Sequence, residues 1–335
     1  MKNKHKKLTV GGLFSGIGGI ELGFEKAGFS IEWANEFDKN ACKTYRENYN
    51  HLLFEKDIHE LKGNELPSVN VLTGGFPCQA FSVAGHRKGF DDDRGNLFFQ
   101  IMRLVDEMKH KPEVLFLENV KNFKGHDKGR TFDIVCKEIA SRGYSIFHEV
   151  LNTAKYTTIP QNRERIFIIC FKDECDWQLK PLNSTISSRF NELFPPKVKN
   201  ISRDIRDLLE KSKVDEKFFY DSDKYMYQEL KENMINMNTV YQWRRKYVRE
   251  NKSNVCATLT ANMGTGGHNV PLIIDDSMRF RKLTPRECFN FQGFGKNFKI
   301  PSDISNGNLY KQAGNAVTVP LIKILANQIK LALED

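Results

Sequence analysis

The sequence predicts an α/β protein built on a doubly wound, mostly parallel sheet, with a second, smaller and irregular domain. Three observations predict it. Between residues 8 and 171, short apolar runs alternate with stretches of helical periodicity, the pattern of βα units covered by helices on both faces. The first apolar run ends in a glycine-rich turn that opens a helix. After Cys175 the alternation stops, and a region rich in Asn and Lys follows, broken by Pro181 and Pro195-Pro196. The 335 residues suit two domains. The expected division is 1–178 with 305–335 in the first and 179–304 in the second. The first is discontinuous because Leu321, Ile322, Ile324, Leu325, Ile329 and Leu333 give the tail one apolar face, which packs back on it.

Taken in order, the strands are expected at 8–14, 31–36, 69–73, 114–118, 145–151 and 165–171. Each is a short run of mostly apolar residues bounded by polar or turn-forming ones. Val69-Asn70-Val71-Leu72 reads as a buried strand that Gly74-Gly75-Phe76-Pro77 ends. Helices are expected at 18–27, 39–48, 97–109 and 131–141, between successive runs.

Hydrophobic residues make up 40% and charged residues 28%, as in a soluble globular protein with a substantial core. A net charge of +9 favours an anionic partner, nucleic acid or a membrane surface. The basic start, Met1 to Lys7, is followed by Gly11, Gly12, Ser15 and Gly16, so no secretory segment forms, and no run of membrane-spanning length is expected. The seven cysteines are odd in number and lack CxxC spacing. Reduced thiols in a cytoplasmic protein are expected, without a disulfide framework or a metal site.

Phe14-Ser15-Gly16-Ile17-Gly18-Gly19 follows the first strand, and its glycines let backbone approach a ligand closely. Glu36, at the end of the second strand, is suited to the hydroxyls of a ribose. Asp57 and Ile58 follow the third unit, where the acid meets an adenine edge. Together they indicate an adenosine-containing cofactor. The third glycine of a dinucleotide fingerprint is missing, which tells against a dinucleotide.

Cys78 stands where a strand tip meets a ligand crevice, on a stem stiffened by Pro77. A free cysteine is commonly a small buried hydrophobe; beside a loop rich in Gly, Asp, Arg and Lys (82–96), it reads instead as a nucleophile under a closing lid. Glu118 ends an apolar strand at the same edge, so desolvation raises its pKa and makes it a credible acid. Arg163 and Arg165 alternate on a strand and are expected to face the crevice together.

At this point the sequence resembles a known family. Phe14 to Gly19, Gly75-Phe76-Pro77-Cys78-Gln79, Glu118-Asn119-Val120, Gln161 to Arg165, Arg281 to Glu287 and Gly314-Asn315-Ala316-Val317 are similar, in this order, to motifs of the DNA (cytosine-5-)-methyltransferases. The resemblance implies the class I S-adenosylmethionine-dependent methyltransferase fold, which is Rossmann-like, with S-adenosyl-L-methionine as cofactor and double-stranded DNA as substrate. It implies that Cys78 adds to carbon 6 of a flipped-out cytosine and that Glu118 holds ring nitrogen 3 and the exocyclic amine. Arg165 would contact the cytosine carbonyl oxygen and Glu118, and Arg163 would steady the thiolate or a phosphate. Gln79 and Ser82 would belong to the loop that closes on DNA. Phe14, Gly16, Ile17, Gly18, Gly19, Glu36, Phe37, Asp57, Ile58, Pro77, Asn315 and Val317 would bind the cofactor. One position departs from the pattern: Gly12 stands where the family often has an acid, which would leave the methionine end of the cofactor less firmly held.

Arg244, Arg245, Lys246, Arg249 and Lys252 are interleaved with Tyr241, Trp243 and Tyr247. Such residues neutralise phosphates and read guanine. A solvated charged face is the plain alternative. Thr258-Leu259 resembles the pair found in the family's target-recognition region, which places Thr258 near the flipped nucleotide's phosphate. The resemblance further implies a monomer, pairing with a cognate restriction endonuclease, and a GC-rich site such as GGCC or GGNCC. The competing readings are a tRNA cytosine-5 methyltransferase, a non-catalytic DNA-binding module and a nicotinamide oxidoreductase.

Overall fold

The computed structural model describes residues 7–76, 97–172, 190–192, 194–195, 197–198, 204–244, 246–251, 254–265 and 269–333. Its main sheet contains β1 (Thr9–Leu13), β2 (Ser30–Asn35), β3 (Leu52–Phe54), β4 (Val71–Gly75), β5 (Val114–Val120), β6 (Tyr144–Asn152) and β8 (Glu164–Lys172), in the order β3-β2-β1-β4-β5-β8-β6. The first five are joined in parallel; β8 runs antiparallel to both of its neighbours, β5 and β6. The sheet is therefore mostly parallel, as the sequence predicts, and the order reverses between β1 and β4.

Both faces are covered, which is why β4, β5 and β8 read as continuous apolar runs. Strand alternation divides β8 between two cores. Ile166, Ile168 and Cys170 pack with α3 (Leu97–Glu107) and α4 (Arg130–Ala140). Phe167, Ile169 and Phe171 pack with α1 (Gly19–Lys26) and α9 (Val319–Leu333). The tail thus returns to the sheet, and α9 lies so close to α1 that a Cβ on Gly23 would fall 2.5 Å from the Ile322 Cβ. Helix α2 (Lys39–Asn48) is capped by Asp38, whose side chain accepts from the Asn40 and Ala41 N–H groups.

Two expectations are corrected here. The region beyond 204 is less irregular than expected: β9 (Phe219–Tyr220), β10 (Tyr241–Arg244), β11 (Tyr247–Glu250), β13 (Leu272–Ile274) and β14 (Phe280–Lys282) form an antiparallel five-stranded sheet. Strands of two to four residues leave too little alternation to read. And Asn306–Leu333 is apolar and long enough to cross a membrane by length and composition. It comprises α8 (Asn306–Asn315) and α9, most of whose apolar residues are buried against protein, Leu331 being exposed. Between the two sheets, β7 (Gln161–Asn162) pairs in parallel with β12 (Cys256–Ala257). A one-turn helix α5 (Thr153–Tyr156), α6 (Tyr227–Asn233) and α7 (Pro285–Phe291) complete the named elements. Pro at the start of α7 and a Thr284–Glu287 capping box fix its first turn.

Candidate active site

A cavity of about 560 Å³ opens at the C-terminal ends of β1, β2, β4 and β5, the place where an open α/β sheet takes its ligand. Phe14, Gly16, Ile17 and Gly19 line it from the turn after β1. Glu36 and Phe37 line it after β2, Asp57 and Ile58 after β3, and Asn315 and Val317 from the tail. Glu118, Arg163 and Arg165 stand on its other wall. Pro77, Cys78, Gln79, Ser82 and Arg245 lie outside the described residues.

The turn is tight because Phe14 and Gly16 both take φ of +56°, a left-handed backbone that costs the non-glycine residue about 1 kcal/mol. Glu36 closes it. One oxygen accepts from the Gly16 N–H at 2.8 Å, and the other accepts from Phe37 and Asp38 N–H at 2.9 and 2.8 Å. The Gly16 N–H that would meet a phosphate in a dinucleotide fold is thus given to a carboxylate. The pocket suits a nucleoside without phosphates. Gly18 is not among the lining residues; a Cβ there would strike the Tyr49 ring at 2.3 Å, so packing requires this glycine. Asp57 caps the short turn 58–60 by accepting from the His59 N–H, and that bond lowers its pKa.

Glu118 is buried, and its Oε1 lies 3.0 Å from the Arg165 Nε. Burial pushes its pKa up, with Arg165 and Arg163 opposing. Hence it sits nearer to protonation than an ordinary carboxyl, as an acid must. Its neighbour Asn119 donates from Nδ2 to the Phe76 carbonyl at 2.9 Å. Phe76 is itself buried among Phe98 and Phe123. The chain leading to Cys78 is therefore anchored at its last described residue. The sequence singled out Glu118 but not this anchor, although the motif Glu118-Asn119-Val120 contained it.

Arg163 departs from expectation. It lines the cavity, yet the residue is 2% exposed and its guanidinium donates to three backbone carbonyls: Leu259 at 2.8 Å, Gly314 at 3.0 Å and Ala316 at 2.7 Å. With both Nη groups so engaged it clamps the tail and the β12 segment to the sheet edge, and only its Nε is left without a partner among the described residues. Gln161 adds to this seam, donating to the Phe291 carbonyl and accepting from the Leu259 N–H. Thr258 donates its hydroxyl to the Asn162 carbonyl, at the same seam.

Away from the cavity, β10 and β11 form a hairpin. Tyr241, Trp243 and Val248 are buried beneath it, while Arg244, Lys246 and Arg249 are exposed; Arg249 donates to the Gln242 side chain. A basic surface over an apolar floor is suited to a polyanion.

The chain matches the model of the family C-5 cytosine-specific DNA methylase over residues 8–331. It is 49% identical over 326 residues to the Type II methyltransferase M.Bsp6I of Bacillus sp. (strain RFL6), across 96% of this chain and 98% of that protein. It is 35% identical over 331 residues to the Type II methyltransferase M.HhaI of Haemophilus parahaemolyticus, across 96% and 94%. Among solved structures, the S. pombe Dnmt2 methyltransferase superposes with a TM-score of 0.73 over 98% of each chain; at 20% identity this bears on the fold alone.

Proposed function

The chain belongs to the C-5 cytosine-specific DNA methylases and is a DNA (cytosine-5-)-methyltransferase of restriction-modification type, and we propose that it modifies a flipped-out cytosine in a short duplex sequence through a transient Cys78 adduct, with S-adenosyl-L-methionine as cofactor. The observation that carries the proposal is the buried Glu118–Arg165 pair on the wall of the nucleoside-sized cavity, beside the anchored stem of Cys78.

The residues present fit this cofactor. Glu36 takes the turn's N–H groups and leaves part of its acceptor capacity, about four lone-pair sites, for ribose hydroxyls. Ile17, Phe37 and Ile58 give apolar walls for an adenine. When bound, S-adenosyl-L-methionine supplies the electrophilic sulfonium methyl that carbon 5 receives.

Extruding the cytosine costs a few kcal/mol, offset by contacts in the pocket. The Cys78 thiolate adds to carbon 6 while Glu118, in its acid form, donates to ring nitrogen 3. That donation drains electrons from the ring and makes carbon 6 attackable. Arg165 keeps Glu118 in place and offers donors to the carbonyl oxygen at carbon 2. The resulting enamine makes carbon 5 nucleophilic. After the methyl is taken, the carbon 5 proton leaves, the electron pair returns to the ring, and Cys78 is expelled.

The basic hairpin and the Thr258 seam, within 179–304, are assigned to reading the DNA, and 1–178 with 305–335 to chemistry. The protein is proposed to act as a cytoplasmic monomer that protects host DNA from a cognate endonuclease. Denaturing electrophoresis after incubation with duplex DNA carrying 5-fluorocytosine tests the adduct. Wild type should be trapped on duplex DNA and not on tRNA, and Cys78→Ser should not be trapped at all. Methyl transfer by Cys78→Ser at the wild-type rate overturns the mechanism. Bisulfite sequencing of DNA from expressing cells identifies the site.

A further inference from the structure

Glu21 is a carboxyl that the mechanism above leaves unused. It stands in the first turn of α1, yet it is fully buried. Neither of its oxygens makes a hydrogen bond of normal geometry among the described residues, and nor does the Ser15 hydroxyl, which lies close enough to favour the charged carboxylate. An unpartnered buried carboxyl is costly, and its persistence calls for a physical reason.

Its position suggests the use. A Cβ built on Gly12, at the end of β1, would fall 2.0 Å from the Glu21 Oε1 and 2.7 Å from the Ser15 Oγ. The Glu21 carboxyl therefore occupies the space of the side chain that Gly12 lacks, the position where the motif resemblance expects an acid. The groups acting on it are the Ser15 hydroxyl in the turn, its own N–H, and Glu36 at the end of β2. On its other side, the phenols of Tyr45, buried on α2, and Tyr49, half-buried just after it, feel its charge and that of Glu25. None of these groups is a cation. Burial raises the Glu21 pKa to about 7, so a cation brought nearby would tip it to the charged form at neutral pH.

We propose that Glu21 supplies from the helix the carboxylate that position 12 lacks, and acts as a positioning residue for the cofactor: from behind the Ser15–Gly16 turn, which lines the cavity as Glu21 itself does not, its charge draws in the methionine-end ammonium. This rests on the cofactor assignment made above. The two positions are then alternatives: one acid fits the space and two do not.

The test uses calorimetric titration of the full-length protein at pH 7 with two probes. S-Adenosylhomocysteine carries the ammonium and no sulfonium charge; 5′-methylthioadenosine lacks the amino-acid end altogether. Glu21→Gln should bind S-adenosylhomocysteine at least tenfold more weakly, roughly the loss of one close charge attraction. It should bind 5′-methylthioadenosine within about threefold of wild type, on the same scale, with an unchanged or higher Tm. Gly12→Asp should weaken binding, and Gly12→Asp combined with Glu21→Ala should recover most of the S-adenosylhomocysteine affinity. Equal weakening toward both probes would mean that Glu21 merely supports the turn, and overturns the proposal, as does unchanged affinity in Glu21→Gln. A double variant no better than Gly12→Asp also overturns it. If wild type binds neither probe, the cofactor assignment itself fails.

Discussion

Replacing Arg163 with Met tests the clamp between the sheet edge and two distant parts of the chain. Methionine keeps much of the apolar stem while removing the fork of donors. Three carbonyls lose their partner: Leu259, Gly314 and Ala316. Each stranded acceptor costs about 1–3 kcal/mol. Against this, the variant no longer buries a guanidinium, whose pKa burial holds well below its usual value. The terms are not additive, and broken buried charge networks cost about 3–5 kcal/mol; a loss of about 4 kcal/mol is expected. Arg163→Lys should lose most of the same, because one ammonium cannot span three carbonyls from different segments. Urea unfolding followed by fluorescence and circular dichroism reads the effect as a lower midpoint at an unchanged slope. A loss below about 1 kcal/mol in Arg163→Met would refute the reasoning, since it would mean the carbonyls find other partners at little cost.

Glu21 gives a pH dependence with a definite sign. Its pKa rises from 4.5 to about 7 on folding, so the stability it contributes is present below 4.5 and is lost as pH climbs through 7. The stability of ligand-free Glu21→Gln should gain on wild type by about 2.5 kcal/mol between pH 5 and pH 8; a difference constant with pH counts against it. Glu118→Gln should lower methyl transfer by ~10²–10⁴, the range of a general acid, and rapid-quench trapping on 5-fluorocytosine DNA should slow in step. Asn119→Ala releases the Phe76 carbonyl and should cost about 1–2 kcal/mol in stability. Its kcat should fall while its S-adenosylhomocysteine affinity stays at the wild-type level; a loss confined to affinity would place Asn119 elsewhere in the mechanism.

Much of the main sheet was legible because its strands are buried on both faces and so announce themselves as unbroken apolar runs. β5 and β8 are the clearest cases, and the helices between them repeat at 3.6 residues. β3 was not legible: three residues carry no period. Nor was α8, whose Asn-Gly-Asn start reads as a turn and whose helix is held by Ser305 capping and contacts to α7. At the site, Glu118 and Arg165 could be placed from strand ends alone. Arg163 could not be sorted from Arg165 by alternation, because its partners lie about 100 and 150 residues downstream. Nothing in the sequence singles out Glu21, a charged residue in a helix's first turn. Only the packing of α1 under Gly12 reveals that it is enclosed.

The reversed direction of β8 has a consequence for how freely this protein can drift. Arg165 opens its strand where β5 closes, opposite Val120, and shares a face of the sheet with Glu118. A parallel strand would have carried residue 165 to the far rim, ~20 Å off. Sliding β8 by a single residue would turn Arg165 away from its acid, and would also swap Ile166, Ile168 and Cys170 with Phe167, Ile169 and Phe171 between two cores of different shape. The oily interior thus acts as the ruler for the ion pair: substitutions that loosen either layer should blunt catalysis before they unfold the chain.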